Sequence, residues 1–544
     1  MTATPDDIGR TQPAAGADSS LTKIVAYHQR SKHRLERYAA GPETLDWSAQ
    51  PNPFREFSGA PRIRLPMIAD RLTASFAALH TPGAVAAQPL TLDHVAAMLE
   101  LAFGLSAWKE YGPDRWAVRC NPSSGNLHPT EAYVISRDIS ELEDGVYHYL
   151  SRDHALERRC RITAAAPAAQ PGLLVGISSI TWREAWKYGE RAFRYCQLDT
   201  GHAIGALRYA AAVLGWHVRI ADAVSQQQLA EWLGLDRDAN FPRAEREEAE
   251  LLLEITIAPD ADTTASWLRN STQTDWRGQA NILDAHPMYR WPIIDDIAAA
   301  SRKPATQPAM YRPETSALAS TCSMAAATLI RQRRSAQRFD ARFTQDADSF
   351  YTMLTALLPD SGTPWDVWNE VPRVHPVLFV HRIDGLAPGI YALPRSADAQ
   401  ARMQATMRTD FLWRKPDGCP EPLPLYLLAK ANLGKALRTI SCHQAIAADS
   451  TFTLAILAEF DTALHNAPWR YRQLYWEAGL FGQVLYLQAE AASLRGTGIG
   501  CYFDDTCHEL LGLQDTTFQS MYHFTVGYPL TDERIANLPP YPRT

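Results

Sequence analysis

The chain has 544 residues and a formal net charge of −7, and 46% of its residues are hydrophobic while 21% are charged. At about 150 residues a domain, this length allows two large domains or three to four smaller ones, and the near-average composition excludes a fibrous or largely disordered chain. The acidic balance argues against a primary role in binding nucleic acid, because phosphate recognition needs a basic face.

Cysteine usage and the N-terminus narrow the class of protein further. Eight cysteines without any CxxC spacing form neither a disulfide framework nor a zinc ribbon, so we expect no metal. No apolar run reaches the ~20 residues of a membrane span. Residues 1–20 lack the basic start and apolar core of a signal peptide. We therefore interpret residues 1–25 as a disordered tail of a cytoplasmic protein.

The first segment with concentrated polar chemistry is Asn-Pro-Ser-Ser-Gly-Asn-Leu-His-Pro at residues 121–129. Its turn-forming residues predict a loop that leads into a strand over residues 132–136. Two hydroxyls, two carboxamides and several backbone N–H groups can hydrogen-bond the polar edge of a planar ligand. From composition alone, an ordinary loop built on Asx and Ser turns is the favoured interpretation.

A single helix is predicted over residues 182–195, with Lys187, Arg191 and Arg194 on one face. Lys187 and the adjacent Tyr188 can act as a proton acceptor if a dry site lowers a pKa. Without further context, a surface helix with exposed ion pairs is the favoured interpretation.

The remaining elements follow from hydrophobic periodicity. The 3.6-residue period predicts long helices through residues 204–214 and 484–494, which end near Gly215 and Gly496. Alternation over residues 251–257 predicts a strand buried on one face, and residues 524–527 occupy an equivalent late position. Residues 259–315 lack sustained periodicity and are interpreted as a linker or an excursion over the surface.

Two segments of the second half suit a phosphorylated ligand. Arg-Gln-Arg-Arg-Ser-Ala-Gln-Arg at residues 331–338 offers guanidinium forks, and a charge-assisted bond contributes ~1.5–3 kcal/mol. A solvated basic helix end is the alternative. Gly-Thr-Gly-Ile-Gly-Cys at residues 496–501 permits close backbone approach, but it is not GxGxxG and follows a helix, so a Rossmann site is not expected. A helix C-cap before a strand explains it equally well.

Several of these motifs occur twice in the same order. Arg30-Ser31 is echoed by Arg334-Ser335, and His128-Pro129 by His375-Pro376. Arg194, Asp199 and Gly201 are echoed by Arg472, Glu477 and Gly479, and a Leu-Gly-Leu ending at residue 235 by one ending at residue 513. The last two echoes share a spacing of 278 residues. We interpret the chain as a duplication, the alternative being two generic α+β domains.

Taken in order, the motifs at residues 30–33, 121–129, 187–202, 333–335 and 496–500 resemble the nitroreductase superfamily, in its tandem SagB/ThcOx-type dehydrogenase branch. The resemblance covers residues 26–257 and 318–535. It implies an α+β, nitroreductase-like fold with a mixed sheet covered by helices, and two tandem domains that form an intramolecular pseudo-dimer. The corresponding boundaries are residues 26–260 for domain 1, 261–315 for the linker and 316–544 for domain 2.

The resemblance also implies non-covalent FMN at the interface between the two domains. The cofactor-binding residues that it implies for one composite site are Arg333, Arg334, Ser335, Gln337, Pro122, Ser123, Ser124, Asn126, Thr497, Gly498, Ile499 and Gly500. Gln337 stands where the family usually has a cation. The mirror site would pair Arg30 and Ser31 with Pro-Arg-Val-His-Pro at residues 372–376, which has lost the Ser-Ser pair. We therefore expect one FMN per chain, in the composite site.

In the azoline-oxidising members of this branch a Lys-Tyr pair serves as the base, and Lys187-Tyr188 resembles that pair. The implied function is FMN-dependent dehydrogenation of a peptide-derived or natural-product substrate, of the azoline-to-azole type. The protein would act alone or as part of a biosynthetic complex. Two alternatives stay open: an NAD(P)H-dependent nitro- or quinone-reductase-like enzyme, and a flavin-free scaffold protein of a peptide-modifying complex.

Overall fold

A computed structural model describes residues 15–164, 171–258, 266–309 and 320–542, together with Tyr311 and Pro313. The predicted tail lies only partly in this range. Residues 1–14 lie outside the described residues, whereas residues 15–25 belong to the first helix, so the prediction of disorder is wrong for that part. This helix buries Ile24 and Tyr27, which explains why it is ordered against the rest of the chain.

The described residues form both helices and strands, with more residues in helices than in strands. The helices are α1 Ala15–Arg30, α2 Leu92–Phe103, α3 Thr181–Tyr188, α4 Ala192–Val213, α5 Gln226–Leu233, α6 Ser266–Arg269, α7 Pro292–Ala300, α8 Ala326–Gln332, α9 Ala347–Thr355, α10 Ala397–Thr406, α11 Gly434–Ile440, α12 Ile446–Asp449, α13 Phe460–Leu464, α14 Arg470–Ala491 and α15 Asp504–Leu511. The strands are β1 Phe57–Ser58, β2 Arg62–Arg64, β3 Leu105–Tyr111, β4 Asp114–Arg119, β5 Thr130–Arg137, β6 Gly145–Leu150, β7 Ala155–Ala164, β8 Gly172–Ser179, β9 His217–Ile220, β10 Glu248–Thr256, β11 Ser271–Thr274, β12 Gln279–Ala280, β13 Val374–Val380, β14 Gly389–Ala392, β15 Tyr426–Lys430, β16 Phe452–Glu459, β17 Arg495–Ile499, β18 Phe518–Gly527 and β19 Ala536–Leu538.

Each half of the chain contributes one large sheet. The first has the order β11-β7-β6-β5-β8-β10-β9, with β2 paired to β7, and the second has the order β15-β14-β13-β16-β18-β17. All pairings between the named strands of these sheets are antiparallel, so the expectation of a mixed sheet is wrong for the described strands. The fold is nevertheless the expected α+β fold with two tandem units.

The central strands are covered on both faces, which explains their nearly continuous apolar sequence. In β10, Leu251 and Leu253 pack into the core that the two halves share, whereas Leu252 packs into a separate core on the other face of its sheet. The prediction of a strand here is confirmed, but its burial on one face alone is wrong. Ile257, the last residue of the alternating pattern, lies beyond the strand and is exposed.

The halves meet where the long helices α4 and α14 cross. A Cβ atom on Gly201 would lie 2.2 Å from the carbonyl oxygen of Trp476, and one on Gly479 would lie 2.1 Å from that of Leu198. The two contacts are equivalent, because the 278-residue spacing of the sequence echo relates Gly201 to Gly479 and Leu198 to Trp476. Glycine is required at both positions because the two backbones touch. The contact is therefore isologous, like the interface of a twofold dimer, but it lies within one chain.

A second contact has the same symmetry. Ala326 N–H donates to the carbonyl of Ala74, and Phe76 N–H donates to that of Met324, both at 2.8 Å. The segment before residue 80 therefore occupies in domain 1 the place that α8 occupies in domain 2. This correspondence determines which residues mirror the arginine cluster that follows α8.

The predicted linker is an excursion that completes the first half. Strand β11 pairs with β7 at the edge of the first sheet, and α7 packs against α1. The C-terminal segment crosses in the other direction, because β19 pairs with β3. Tyr541 accepts a hydrogen bond from Leu105 N–H at 2.8 Å. Both the segment between the halves and the C-terminal segment therefore pair with strands of the first half.

Helix ends agree with the sequence in one half and differ in the other. Helix α4 ends at Val213, and Gly215 follows in a left-handed conformation (φ +68°), as predicted. Helix α14 ends at Ala491, and Ser493 takes the left-handed position (φ +60°), so the predicted end near Gly496 is wrong. Gly496 belongs to β17 instead.

Candidate functional site

The two halves enclose a cavity of about 480 Å³ beside the crossing of α4 and α14. The volume lies within the range of small-molecule sites. All the residues that the sequence assigned to the composite site line it, namely Pro122, Ser123, Ser124, Asn126, Arg333, Arg334, Ser335, Gln337, Thr497, Gly498, Ile499 and Gly500. The fold therefore brings together three segments that lie far apart in the chain, as the proposed composite site requires.

One end of the cavity carries a cluster of cations. Arg333, Arg334 and Lys109 line it, and Arg495 lies close enough for its charge to act on all three. Burial, and then the charge of Arg333, lowers the pKa of Arg334 to about 10, and burial lowers the pKa of Lys109. Glu490 contributes an opposing negative charge.

The arginines of this cluster are held by backbone carbonyls rather than by acids. Arg333 donates to the carbonyl of Arg119 at 3.1 Å, and Arg334 donates to that of Ser106 at 2.9 Å. Within the described ranges, neither forms an ion pair, and the buried Nε of Arg333 has no hydrogen-bond partner. Unpaired cations in a cavity wall suit an anionic ligand group.

The loop of residues 121–129 is fixed by Asp199 of α4. The carboxylate of Asp199 accepts hydrogen bonds from the backbone N–H of Ser124 at 3.1 Å and from its hydroxyl at 3.0 Å. Burial raises the pKa of Asp199 to about 7. The amide of Asn126 is also engaged, since it donates to the carbonyl of Ala117 at 2.9 Å. The loop thus presents a fixed backbone to the cavity, and its side chains mainly hold the loop in place.

Gly496 and Gly498 of the late motif lie in β17, and Gly500 directly follows it. A Cβ atom on Gly498 would lie 1.7 Å from the hydroxyl of Tyr522, and one on Gly500 would lie 2.0 Å from Cε1 of Tyr195. The backbone N–H of Gly498 donates to the hydroxyl of Tyr486 at 3.0 Å. Glycine is required because these rings approach the strand closely, and neither a helix cap nor a dinucleotide turn explains the motif.

Aromatic residues form the other end of the cavity. Tyr188 and Tyr195 line it with their ring centroids 4.5 Å apart. The buried hydroxyl of Tyr195 has no partner among the described residues. The hydroxyl of Tyr522 lies 3.0 Å from Nε2 of His202, whose pKa is lowered to about 3 by burial. Burial thus keeps His202 uncharged at physiological pH.

The predicted helix over residues 182–195 is broken, which separates its two catalytic candidates from its arginines. Helix α3 ends at Tyr188, and Gly189 (φ +55°) precedes a short turn before α4. Arg191 and Arg194 are buried and form ion pairs with Asp504 at 3.0 and 2.7 Å. The expectation of one continuous helix face and of exposed ion pairs is wrong.

Tyr188 and Lys187 differ in their relation to the cavity. Tyr188 belongs to its lining, and Lys187 does not. The Nζ of Lys187 lies 5.4 Å from the centroid of Trp47 and 5.3 Å from that of Tyr188. Burial lowers the pKa of Lys187. Lys187 thus contacts the ring of Tyr188 from outside the cavity.

Arg30 and Ser31 line neither this cavity nor its mirror. Arg30 forms a bidentate ion pair with Glu190 at 2.6 and 2.7 Å, and the Ser31 hydroxyl accepts a hydrogen bond from Arg194 at 2.9 Å. The predicted role of Arg30 and Ser31 in a mirror flavin site is wrong, because the symmetry of the fold gives the place of the arginine cluster to the residues after the segment 74–80.

The mirror position holds a larger cavity of about 880 Å³. Thr81, Pro82 and Gly83 line it after the segment that mirrors α8, and residues 217–220 of β9 line it where the other cavity has β17. Its buried cation, Arg208, forms a bidentate pair with Asp366 at 2.7 Å for both bonds. The two cavities are thus alike in position, but the larger one pairs its buried arginine with an acid, whereas the arginines of the smaller one rest on backbone carbonyls.

Sequence reasoning assigned no site role to several residues of the lining, including Asp199, Tyr195, Tyr486, Tyr522 and Lys109. Asp199 and Tyr195 lie within the motif region of residues 187–202, so their spacing on one helix face was a usable signal. Lys109 in β3 had no signal in the sequence, because its approach to Arg334 depends on the packing of the two halves.

FMN fits this site on the evidence of the chain's own atoms. The unpaired cations at one end suit a phosphate, and the orphaned Nε of Arg333 lacks an acceptor that a phosphate oxygen supplies. The tyrosine-lined end suits a flat aromatic ring system.

Within the described part of the chain, no cluster of three or more His, Cys, Asp or Glu side chains is arranged for a metal ion. No helix of the described residues is both long and apolar enough to cross a membrane.

Comparison with known proteins agrees with the fold. Residues 84–243 match the model of the nitroreductase family. A crystal structure of a protein from Anabaena variabilis that carries the name nitroreductase superposes with a TM-score of 0.68 and 19% identity, covering 93% of this chain and 99% of that one. At this identity the likeness concerns the fold alone.

Two relatives match part of the sequence. A protein of Methanocaldococcus jannaschii that carries the name nitroreductase is 30% identical over 137 residues, which is 23% of this chain and 66% of the relative. The trifolitoxin-processing protein TfxB of Rhizobium leguminosarum bv. trifolii is 29% identical over 163 residues, which is 27% of this chain and 44% of TfxB. The match thus spans about two thirds of the Methanocaldococcus jannaschii protein and less than half of TfxB. Residues 84–243 thus match the nitroreductase family, and the chain as a whole has a nitroreductase-like fold.

Proposed function

We propose that the chain is an FMN-dependent oxidoreductase that dehydrogenates a peptide-derived or natural-product substrate. The observation that carries the proposal is the cavity between the halves, with unpaired arginines at one end and tyrosines at the other. FMN, when bound, supplies the acceptor for the hydride that a dehydrogenation releases. The match to the nitroreductase family supports an oxidoreductase, and the resemblance to the tandem dehydrogenase branch supports the direction of the reaction.

The residues proposed to hold FMN divide by chemistry. Arg333, Arg334 and Lys109 would bind the phosphate, because their charges are unpaired and lie together. The fixed backbone of residues 122–126 and the backbone N–H of Gly500, which follows β17, would bind the polar edges of the ring system. Tyr188 and Tyr195 would exclude water from the reacting face.

The chain's chemical task in an azoline-to-azole oxidation is to remove a proton from the substrate carbon. Burial raises the pKa of Tyr188, so its hydroxyl is protonated at neutral pH and acts by relaying a proton. Lys187, whose pKa is lowered, lies next to the Tyr188 ring and would receive that proton. We therefore propose Tyr188 as the catalytic residue that touches substrate and Lys187 as the base that acts through it.

A peptide-derived substrate is supported by the similarity to TfxB, which by its name processes trifolitoxin. We propose that the chain acts on a modified peptide, either alone or within a peptide-modifying complex. The neighbouring genes test this proposal. A neighbouring gene that encodes a cyclodehydratase would support it, because that enzyme forms the azoline substrate.

A reductase that uses NAD(P)H is the second candidate, and the position of Lys187 outside the cavity lining favours it. The two functions differ in their use of Lys187. Under the dehydrogenase proposal, Lys187→Ala leaves FMN content and dithionite reduction unchanged but lowers substrate-dependent flavin reduction by ~10²–10⁴, the usual contribution of a positioned base. Rapid flavin reduction by NAD(P)H that is insensitive to Lys187→Ala would favour the reductase.

Purification of the chain with its flavin tests both candidates against a flavin-free scaffold. We expect about one FMN per chain after denaturing release. A chain that neither retains FMN nor binds it on addition would contradict both enzymatic functions.

A further inference from the structure

Two cysteines at the rim of the cavity form a cluster that the proposed reaction does not use. Cys501 lines the cavity directly after the glycine motif, and Cys442 lies in the turn between α11 and α12. Both thiols are half-buried, and they hydrogen-bond each other. We propose that Cys442 and Cys501 form a peroxide-sensitive dithiol that closes reversibly to a disulfide.

The backbone holds the two segments side by side. Phe503 N–H donates to the carbonyl of Ile440 at 2.7 Å, and the side-chain amide of Gln444 donates to the carbonyl of Cys501 at 3.2 Å. Cys442 lies between these two bonds in sequence. Cys442 and His443 both have a left-handed backbone, with φ of +51° and +62°. Such a conformation in two consecutive non-glycine residues is uncommon and occurs preferentially at functional positions.

His33 is oriented to stabilise a thiolate on Cys501. Its Nδ1 accepts the backbone N–H of Ala39 at 2.9 Å, so the ring proton resides on Nε2. The remaining Nε2–H donor hydrogen-bonds Cys501. Together with the hydrogen bond from Cys442 and the charge of Arg191, this contact lowers the pKa of Cys501, while the pKa of Cys442 is raised.

Other titratable groups lie close to the two thiols. Tyr38 hydrogen-bonds Cys442, and Asp504 opposes the thiolate with a negative charge. The phenols of Tyr188 and Tyr195 lie near Cys501 and stay neutral, because burial raises the pKa of both. Cys501 is therefore the nucleophile and Cys442 the protonated partner.

The oxidation is balanced with hydrogen peroxide as the oxidant. The Cys501 thiolate attacks one peroxide oxygen, the O–O bond breaks, and the leaving hydroxide takes up a proton to become water. The Cys442 thiol then attacks the sulfur of the resulting sulfenic acid, the S–O bond breaks, and a second water leaves with the Cys442 proton. The two sulfurs lose two electrons in total, and one peroxide becomes two waters.

Peroxide is also the product that forms when a reduced flavin passes its electrons to oxygen. A peroxide source within the protein itself therefore rests on the proposed function. The chemistry of the pair itself does not, because it depends only on added peroxide. A disulfide between residues 442 and 501 would fix the rim beside Gly500 and would thereby couple the oxidation state to the shape of the cavity.

The test uses the full chain, with and without added FMN. Native protein is treated with hydrogen peroxide, its remaining thiols are alkylated after denaturation, and its peptides are mapped by mass spectrometry. We expect a cross-linked peptide that joins Cys442 to Cys501, reversed by dithiothreitol. Cross-links spread over the eight cysteines, or none at all, would overturn the proposal.

Variants separate the pair from general thiol chemistry. Cys442→Ser should leave a sulfenic acid on Cys501 that dimedone traps, and His33→Gln should slow iodoacetamide alkylation of Cys501 at neutral pH by about tenfold. Cys322→Ser serves as the matched control, because Cys322 is also half-buried but lies outside the cavity lining. Its removal should leave the cross-link unchanged. Alkylation of Cys322 as fast as that of Cys501 in the native chain would contradict an activated thiolate.

Discussion

The two cavities on either side of the α4–α14 crossing occupy symmetric positions, yet only one of them suits a phosphate. In the smaller cavity, Arg333 and Arg334 have no acidic partner among the described residues and rest on backbone carbonyls. In the larger one, Arg208 is neutralised by Asp366 and Arg219 by Glu254. The lining also holds the exposed Arg269 together with Asp222 and Asp360. Duplication thus preserved the fold on both sides while the ligand chemistry was retained on one.

The loops that face the two cavities diverged in the same manner. Asp199 holds the backbone N–H of Ser124, and Glu477 holds that of Arg373 at 3.0 Å, so the two carboxylates have equivalent roles. Asp199 has no cation beside it. Glu477 forms a buried ion pair with Arg395, which also stacks over Trp365 at 4.3 Å. The second loop is therefore closed by an internal ion pair, and the first leaves its carboxylate beside an open cavity.

The largest effect is expected at the internal ion pair of the second loop. Glu477→Gln leaves the buried guanidinium of Arg395 without its counter-ion, so we expect a loss of ~3–5 kcal/mol in the free energy of unfolding. Thermal denaturation measures it. The double variant Glu477→Gln/Arg395→Met should recover part of the loss. A single variant as stable as the parent would mean that the two loops do not differ in this way.

The helix crossing provides a test of the internal symmetry. Gly201→Ala and Gly479→Ala each place a methyl group about 2 Å from a carbonyl oxygen of the facing helix. We expect each to cost on the order of 3 kcal/mol, at the upper end of the range for overpacking. Gly434→Ala in α11 is the control, because its nearest neighbour is 3.8 Å away. A large effect at one crossing glycine and none at the other would contradict an isologous contact.

The phosphate assignment is tested by affinity for FMN. Arg333→Ala removes a buried, unpaired guanidinium, so its loss should cost ~1.5–3 kcal/mol, or about 10- to 150-fold in affinity. Equilibrium dialysis or flavin fluorescence measures it. Arg331→Ala and Arg30→Ala are matched controls, since both arginines form ion pairs away from the cavity lining. Equal losses of affinity in all three variants would mean that the phosphate does not bind at Arg333.

The sequence predicted those features of the fold and the site whose residues lie close together in the chain. The paired motifs around Gly201 and Gly479 predicted the duplication, because two backbones in contact require glycine at both positions. The arginine cluster, the Ser-Ser loop and the glycine motif identified the lining, because each is continuous in sequence. Recognition of the family contributed the knowledge that the three segments meet.

What the sequence did not predict depends on partners far away in the chain. Arg30-Ser31 matches Arg334-Ser335 letter for letter, but the contact between Ala74 and Ala326 places the true counterpart after residue 80. The break after α3 arises because Gly189 packs against the carbonyl of Ala40, where a Cβ atom would lie 2.3 Å away. Neither contact can be inferred from the residues on either side of it.

The smallest effect is expected at Asp199, and it depends on pH. The pKa of Asp199 is about 7 in the folded chain and near 4 when the chain is unfolded, so the folded state binds a proton that the unfolded state has lost between these values. Its contribution to stability is therefore fully present at low pH and is lost as the pH rises towards 7. Asp199→Asn cannot titrate, so its stability relative to the parent should rise by about 1 kcal/mol between pH 6 and 7 and level off above pH 7. Thermal unfolding across this range measures the difference. Asp461→Asn, at an exposed site in α13, is the control and should show no such trend. A relative stability of Asp199→Asn that is flat across this range would mean that Asp199 is ionised in the folded chain, and that the first loop is closed by a charge after all, as the second one is.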